Sequence, residues 1–249
     1  MRIAALTIVK NGQFFLPIWY EYYCKMLGAE NVFVIDNDST DGCTIGCQNI
    51  ISAPMKYDFD HAAIRACVHE EMALLLESYD YVMFTDVDEI VSPNLAKYAG
   101  IEGFIDHWES LSPIETIHGV GWQIITDKKA PEIHAYDPLL WQREQMVQLS
   151  NFYKPVISTK PVKSFTDYNS STCACSALYI FHLNHISYEE SLRKWELEKT
   201  YKWNPRDLAT TNSWQHRIKS KSDFNKYFYD CKQAVGHSID IPLWARDLV

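Results

Sequence analysis

The chain has 249 residues, 47% of them hydrophobic, enough to bury a substantial core in one large domain. Its 23 basic and 32 acidic residues leave a net charge of −9, which argues against a nucleic-acid-binding surface and leaves no polybasic membrane tether. No apolar stretch approaches the length of a transmembrane helix, and the first strand begins almost at once, leaving no room for a cleavable leader; the expectation is a cytoplasmic protein without a membrane span.

In chain order, the apolar run Ile3 to Val9 reads as a buried parallel strand ending at the turn cluster Lys10-Asn11-Gly12. Phe15, Ile18, Trp19, Tyr22 and Met26 recur at helical spacing, with Pro17 tolerable in the first turn and Gly28 placed to close the helix. A second strand, Asn31 to Ile35, delivers the acidic loop Asp36 to Gly42. A helix over His61 to Glu77 leads into the strand Tyr81 to Phe84. This βαβ series carries polar clusters at the carboxyl ends of its strands, where open α/β sheets bind ligands.

The run FTDVDEIVSP, Phe84 to Pro93, follows. If the extended conformation persists, period two puts Asp86 and Asp88 on one side, and the Ser92-Pro93-Asn94 cluster stops the strand. Two carboxylates held that close call for a cation between them, and oxygen ligands suit Mg²⁺ or Mn²⁺ rather than Zn²⁺. The bland alternative is a solvated acidic turn. Arg65, on the preceding helix, could pair with a phosphate, although a solvated helix-face charge is the commoner role.

Beyond this run, a helix is expected over Ile101 to Trp108 and a strand over Ile114 to Ile125 containing Gly121-Trp122. Asp127, Glu132 and Asp137 follow as possible general bases; nothing in the sequence chooses among them, and Asp127 is taken as the working candidate. Ser187 and Glu190 form a capping box opening a helix from Tyr188 to about Tyr201, and a second helix is expected from Asp223 to Ala234, its aromatic stripe packed on the main sheet. Lys154 to Phe165 and Ser170 to Thr172 are candidate mobile segments. Among the seven cysteines, Cys43-X₃-Cys47 and Cys173-Ala174-Cys175 lack the spacing of a zinc ribbon, so free thiols are expected. His182 and His185 would point to opposite faces of a strand, so at most one meets a metal.

The segment ALTIVKNGQFFLPIWYEYYCKMLGAENVFVIDNDSTDG, followed by FTDVDEIVSP, resembles the nucleotide-sugar half of family 2 type glycosyltransferases of the A-fold, closest to the branch that also resembles family 92. The match covers about the first hundred residues; FHLNHISYEESLRKW, Phe181 to Trp195, resembles the same branch more weakly. The resemblance implies a Rossmann-like nucleotide-diphospho-sugar transferase fold, with a mixed, mostly parallel central sheet flanked by helices. A single domain would span 1–249, with the nucleotide-sugar half in 1–100 and the acceptor half and C-terminal helices in 101–249. By position, the resemblance implies that Asp36 would contact the nucleotide base or ribose, Lys10 and Asn11 would border the nucleotide, Asp86 and Asp88 would hold the ribose and the divalent metal (Mn²⁺ or Mg²⁺), and His185 would complete the metal shell. Trp122 matches an aromatic acceptor platform, although core packing is the commoner fate of a strand tryptophan. Gly12 and Ile186 depart from the family, which has an acidic residue and an aromatic at those positions.

The implied activity is metal-dependent transfer, inverting by analogy, of a sugar from a nucleoside-diphosphate sugar such as UDP-sugar to a glycan or other hydroxyl acceptor, as in polysaccharide biosynthesis. A nucleotidyltransferase is the competing enzyme, but Lys10-Asn11-Gly12 is a poor version of its glycine-rich basic loop. A dinucleotide oxidoreductase lacks its G-x-G-x-x-G turn here. A catalytically silent nucleotide- or sugar-binding protein of the same fold is the alternative outside enzymes.

Overall fold

A computed structural model describes residues 1–113, 115–134, 137–162, 174–209, 218–230 and 234–249. Four strands of the first hundred residues, β1 (Ile3–Val9), β2 (Val32–Asp36), β3 (Asn49–Ser52) and β4 (Tyr81–Phe84), lie parallel in the order β3-β2-β1-β4. Helices α1 (Phe15–Leu27) and α2 (His61–Leu75) cover opposite faces of these strands. Phe15, Leu16, Trp19 and Tyr23 of α1 pack with Ala5, Val34 and Met83, whereas Val68 and Met72 of α2 pack with Ala4, Leu6, Ile35, Val82 and Phe84. Covered on both sides, these strands read as continuous apolar runs rather than alternating ones. Gly28 ends α1 at φ +86°, a conformation costly for any residue with a Cβ, and its N–H bonds to Cys24 O at 2.9 Å.

The second half adds β5 (Glu89–Pro93), β6 (Thr116–Ile125), β7 (Gln145–Ser158), β8 (Ala174–His182) and β9 (Ala234–Asp240), with helices α3 (Gly100–Glu109), α4 (Tyr188–Glu198), α5 (Pro205–Ala209) and α6 (Lys221–Asp230). The sheet continues β4-β7-β6-β8-β5, with β9 beside β7. It is mixed: β6 and β8 are parallel, whereas β4–β7, β6–β7, β5–β8 and β7–β9 are antiparallel, so the parallel character is concentrated in the first half.

Only Thr85 to Asp88 join β4 to β5, yet β7, β6 and β8 stand between them in the hydrogen-bonded order. A fully extended link from Phe84 to Glu89 reaches about 17 Å. In a flat sheet four inter-strand spacings would separate the two strands by about 19 Å. The Glu89 N–H to Asp86 O bond of 3.0 Å shortens the link further, so the sheet must curl until β5 returns beside the end of β4. The outer edge of β5 is closed by α1: the Tyr22 hydroxyl donates to Val91 O at 2.8 Å, and Val91 N–H donates to the Tyr23 oxygen at 3.1 Å. These bonds satisfy backbone groups that an edge strand leaves open.

Several expected boundaries are corrected. Ser92 and Pro93 belong to β5 instead of stopping a strand, a place open to proline because this is an edge. The last helix ends at Asp230, and Ala234 begins β9. Its stripe, Phe224 and Phe228, packs against Trp195 and Tyr188 of α4 instead of the main sheet. The Ser187 hydroxyl accepts from Glu190 N–H at 3.1 Å as the capping box requires, but the Glu190 carboxylate pairs with Arg193. Glu132 takes up the first turn of α4 instead, accepting from Ser187 Oγ at 2.9 Å and Glu189 N–H at 3.0 Å, a favourable charge at a helix N-terminus. Lys154 to Ser158 lie within β7, so that part of the first candidate mobile segment is strand; 163–173 lie outside the described residues. Cys24, Cys43, Cys47, Cys67 and Cys175 are free thiols, as expected.

Asp60 ties the last third to the first. Its Oδ1 caps α2 through Ala62 N–H and Ala63 N–H, both at 3.1 Å, and its Oδ2 accepts from Asn204 Nδ2 at 2.6 Å. Asp60→Ala should therefore cost about 1–2 kcal/mol, with Asp60→Asn retaining most of the cap. The check is a lower urea midpoint at unchanged slope for the alanine variant.

Candidate nucleotide and cation site

The Thr85–Asp88 link is fixed from beneath by α1. Trp19 Nε1 donates to Thr85 Oγ1 at 2.7 Å, inside the same buried group that holds Tyr23 against Val91. The strand ends at Phe84, so period two no longer governs Asp86 and Asp88, which occupy a turn. Their carboxylates differ accordingly: the Asp86 side chain is 55% exposed and that of Asp88 only 7%. Each has its own protein cation. Lys154, buried in β7, places Nζ 2.9 Å from Asp86 Oδ2 and 2.5 Å from Glu89 Oε2. Lys194 of α4 places Nζ 2.7 Å from Asp88 Oδ2.

Burial alone would raise the Asp88 carboxyl; Lys194, joined by His182 when its ring is protonated, more than reverses that and holds it well below the usual carboxylate range. Burial likewise opposes charge on Lys154, yet Asp86 and Glu89 lift it above the ordinary lysine value, so it is a cation at neutral pH. Glu89 moves the other way, raised by burial despite Lys154. It also accepts the Asp86 N–H at 2.9 Å, and its carboxylate is thus built into the turn.

His182 closes β8 opposite Gln123 of β6. Gln123 Nε2 donates to His182 O at 3.0 Å and to Ile124 O at 3.1 Å, so Oε1 is the atom that meets His182 Nδ1 at 2.8 Å. A carbonyl oxygen there requires the proton on Nδ1. In a neutral ring, Nε2 then presents its lone pair to Asp88 Oδ2, 3.7 Å away. Two electron-rich atoms so placed are complementary to a cation between them.

His185 is placed elsewhere. The strand stops at His182 and a 3₁₀ turn, Leu183–His185, takes over, so the two imidazoles do not simply alternate across a strand. His185 is buried, stacked on Phe228 at 4.9 Å with Tyr227 against its edge at 4.9 Å. Burial pushes it down to about 3, keeping it neutral, and its Nε2 has no hydrogen-bond partner among the described residues. His182 is therefore the imidazole in contact with Asp88.

The donor set fits a divalent ion in its chemistry. Asp88 and the Nε2 of His182 face one another, and Asp86 is the exposed carboxylate of the same turn. No three His, Cys, Asp or Glu side chains among the described residues converge as a finished cage. Mg²⁺ and Mn²⁺ sites that use one or two protein ligands and take the rest from phosphates and water need no such cage.

At the ends of β1 and β2, two loops are laced together. Asn11, at φ +55°, accepts Thr40 N–H on its side chain at 2.7 Å and gives its own N–H to Ser39 Oγ at 3.0 Å. Asp41 accepts from Gln13 N–H at 2.9 Å and Cys43 N–H at 3.0 Å, a turn-stabilising role. Lys10 is spent on Asp38 O and on Asp58, at 2.6 and 3.2 Å. Asp36 accepts one bond, from Ser39 N–H at 2.9 Å on Oδ1, and its other oxygen has no described partner. Tyr201, beyond α4, donates to Lys10 O at 3.2 Å and brings the C-terminal segment over this loop. Arg65 stands one turn into α2, half-buried, with no hydrogen bond or ion pair among the described residues.

Two acceptor-side residues are corrected. Trp122 alternates with Gln123 along β6 and thus faces away from His182; half-buried, it stacks on Tyr179 at 5.8 Å in a row with Phe181 and Trp244 that packs against the core. The aromatic ring beside His182 is Phe152, at 5.3 Å. Asp127 is exposed past the end of β6, accepting from Lys129 N–H at 2.8 Å in its own turn. At about 3.3 Å per residue it lies roughly 13 Å along the chain from Gln123. Glu132 is engaged in capping α4, leaving neither residue beside Asp88.

Sequence reasoning missed Lys154, Lys194, Gln123 and Phe152. A lysine inside the apolar run of β7 is the one signal that could have marked Lys154, since a buried cation needs a partner.

Neither a protein-family model nor a curated protein matches the sequence. Among solved structures the chain is similar to mannose-1-phosphate geranyltransferase from Thermus thermophilus, at 12% identity and a TM-score of 0.34, over 97% of this chain and 76% of that one. A likeness at that level fixes neither family nor activity.

Gly121 makes room for the Phe152 ring: a Cβ there would sit 1.5 Å from Phe152 Cδ1. Gly121→Ala should force the ring off β6 and away from His182. The expected cost is about 1–3 kcal/mol of overpacking, read as a lower thermal or denaturant midpoint. An unchanged midpoint would mean that Phe152 moves without cost.

Proposed function

We propose that the chain is a glycosyltransferase that transfers a sugar from a nucleoside-diphosphate sugar, UDP-linked in the first instance, to a glycan or other hydroxyl acceptor, with inversion. The observation that carries this reading is the Asp86–Asp88 turn, set at the carboxyl end of β4 beside the loops after β1 and β2, with His182 turned to Asp88. That end of a parallel sheet is where ligands of α/β folds bind. No helix of the described residues is long and apolar enough to cross a membrane.

Asp88 and His182, with Asp86 exposed on the same turn, are the residues that would hold Mn²⁺ or Mg²⁺. When bound, such an ion would supply charge neutralisation to the diphosphate as the sugar departs. An imidazole nitrogen in the set favours Mn²⁺ over Mg²⁺. Asp36, with one carboxylate oxygen uncommitted, accepts from the base or a ribose hydroxyl. Asn11 holds the loop in which it stands. Lys154 fixes the Asp86 carboxylate in the turn, and Gln123 keeps the His182 lone pair directed at Asp88. Phe152, next to His182, offers the apolar face for an acceptor sugar that Trp122, turned to the other face of β6, does not.

A thermal-shift panel of nucleoside diphosphates and nucleotide sugars, with and without Mn²⁺, tests the reading directly. UDP or a UDP-sugar with Mn²⁺ should raise the midpoint, since a ligand at a hundred times its Kd adds about 2.7 kcal/mol. Asp88→Asn should abolish the metal-dependent part. No shift with any nucleotide would remove the proposal. In turnover assays Asp36→Ala should raise KM for the UDP-sugar with kcat little changed, because it loses binding common to ground and transition states. A fall in kcat at constant KM would take Asp36 out of the nucleotide site.

A further inference from the structure

Lys194 is held at the cation position of Asp88. Its Nζ lies 2.7 Å from Asp88 Oδ2 and 3.4 Å from Asn184 Oδ1, with the Phe15 ring 5.3 Å below. The carboxylate oxygen it contacts is the same one that faces His182 Nε2. A divalent ion held by Asp88 and His182 would stand within a few ångströms of the ammonium, where like charges repel. Asp88 therefore serves one cation at a time.

A second seat lies beside the first. Between α4 and α6 lies a half-open cavity of about 30 Å³, lined by Lys194, Glu198, Asn184 and Tyr227 with the Trp195 and Phe224 rings. Its walls are partly aromatic, but it has the volume to take a water or an ammonium group, with Asn184 and Glu198 among its polar groups. Glu198 is one helical turn beyond Lys194, the spacing of a favourable pair on a helix surface, yet its carboxylate makes no hydrogen bond or ion pair among the described residues. Rotation of the flexible lysine stem would exchange Asp88 for Glu198 without moving the helix.

We propose that Lys194 is an exchangeable counter-ion: it neutralises Asp88 while the cation site is empty, and withdraws across the cavity to Glu198 when a divalent ion takes Asp88 and His182. This rests on the cation reading of the site and adds a competitor built into the chain. Binding of the divalent ion then carries the cost of breaking a protein ion pair, which keeps affinity low until a diphosphate contributes ligands of its own.

The test is calorimetric titration of Mn²⁺ into the full-length chain without nucleotide, a readout independent of turnover. Lys194→Met, close to an isostere without the charge, should bind Mn²⁺ about tenfold more tightly than wild type, and Lys194→Gln should do the same if packing at Met disturbs the helix. Glu198→Gln should weaken Mn²⁺ binding about tenfold when Lys194 is present and leave it unchanged in the Lys194→Met background. Equal or weaker Mn²⁺ binding by both Lys194 variants would overturn the exchange while leaving the cation site standing. A Glu198→Gln effect of the same size in both backgrounds would remove Glu198 as the second seat. Absence of Mn²⁺ binding in every variant would overturn the cation reading, and the exchange with it.

Discussion

The buried pair of Lys154 and Glu89 is the interaction on which the rest of the site depends. Both side chains are almost wholly removed from water, and their 2.5 Å contact lies where the four-residue link from β4 reaches β5. Removing Lys154 would strip both Glu89 and Asp86 of their cation, whereas removing Glu89 would leave Lys154 paired with Asp86 alone. Glu89 also takes the Asp86 N–H, so the charge pair and the turn geometry are a single constraint. Pairing with β4 sets β7 beside the link, the curl brings β5 back to it, and the link requires the cation that β7 carries.

From that constraint the positions of the other groups follow. Curling brings the end of β8, with His182, next to Asp88, and sets Gln123 of β6 behind the imidazole. The carboxylates of the acidic run end in different states because their surroundings differ: Asp86 is open to solvent, Asp88 is enclosed by Lys194 and His182, and Glu89 belongs to the core. Three neighbouring acids in sequence have thus become one exposed group, one paired with Lys194 beside His182, and one structural group.

The chain from α4 to α5 forms a strap over the loops that follow β1 and β2. Tyr201 reaches Lys10, Lys202 N–H donates to Asp58 at 2.8 Å, Trp203 stacks on Phe59 at 4.1 Å, and Asn204 meets Asp60. Asp207 accepts the first helical N–H of α2, His61, at 2.8 Å. Each contact joins residues far apart in the chain, so the loops at the ends of β1 and β2 are shaped as much by the last fifty residues as by their own turns. Lys194 belongs to the same strap, and through it α4 touches both the acidic turn and α1.

Local chemistry was legible in the sequence by itself. The apolar runs of β1, β2 and β4, the α1 boundary at Gly28, the start of α2 and the Ser187 cap were readable because each depends on neighbours within one or two turns. The acidic run after β4 was readable for the same reason. Tertiary structure alone decided which groups meet. Whether His182 or His185 faces Asp88 depended on where β8 stops. Whether Trp122 faces the site or the core depended on which side of β6 the curl turns inward, and Asp127 fell away because β6 carries it past the turn. Lys154 and Lys194 carry no local mark of their partners, 68 and 106 residues away in sequence. Charge pairing across such distances is set by the closure of the sheet, a property of the whole chain that no short stretch of it encodes.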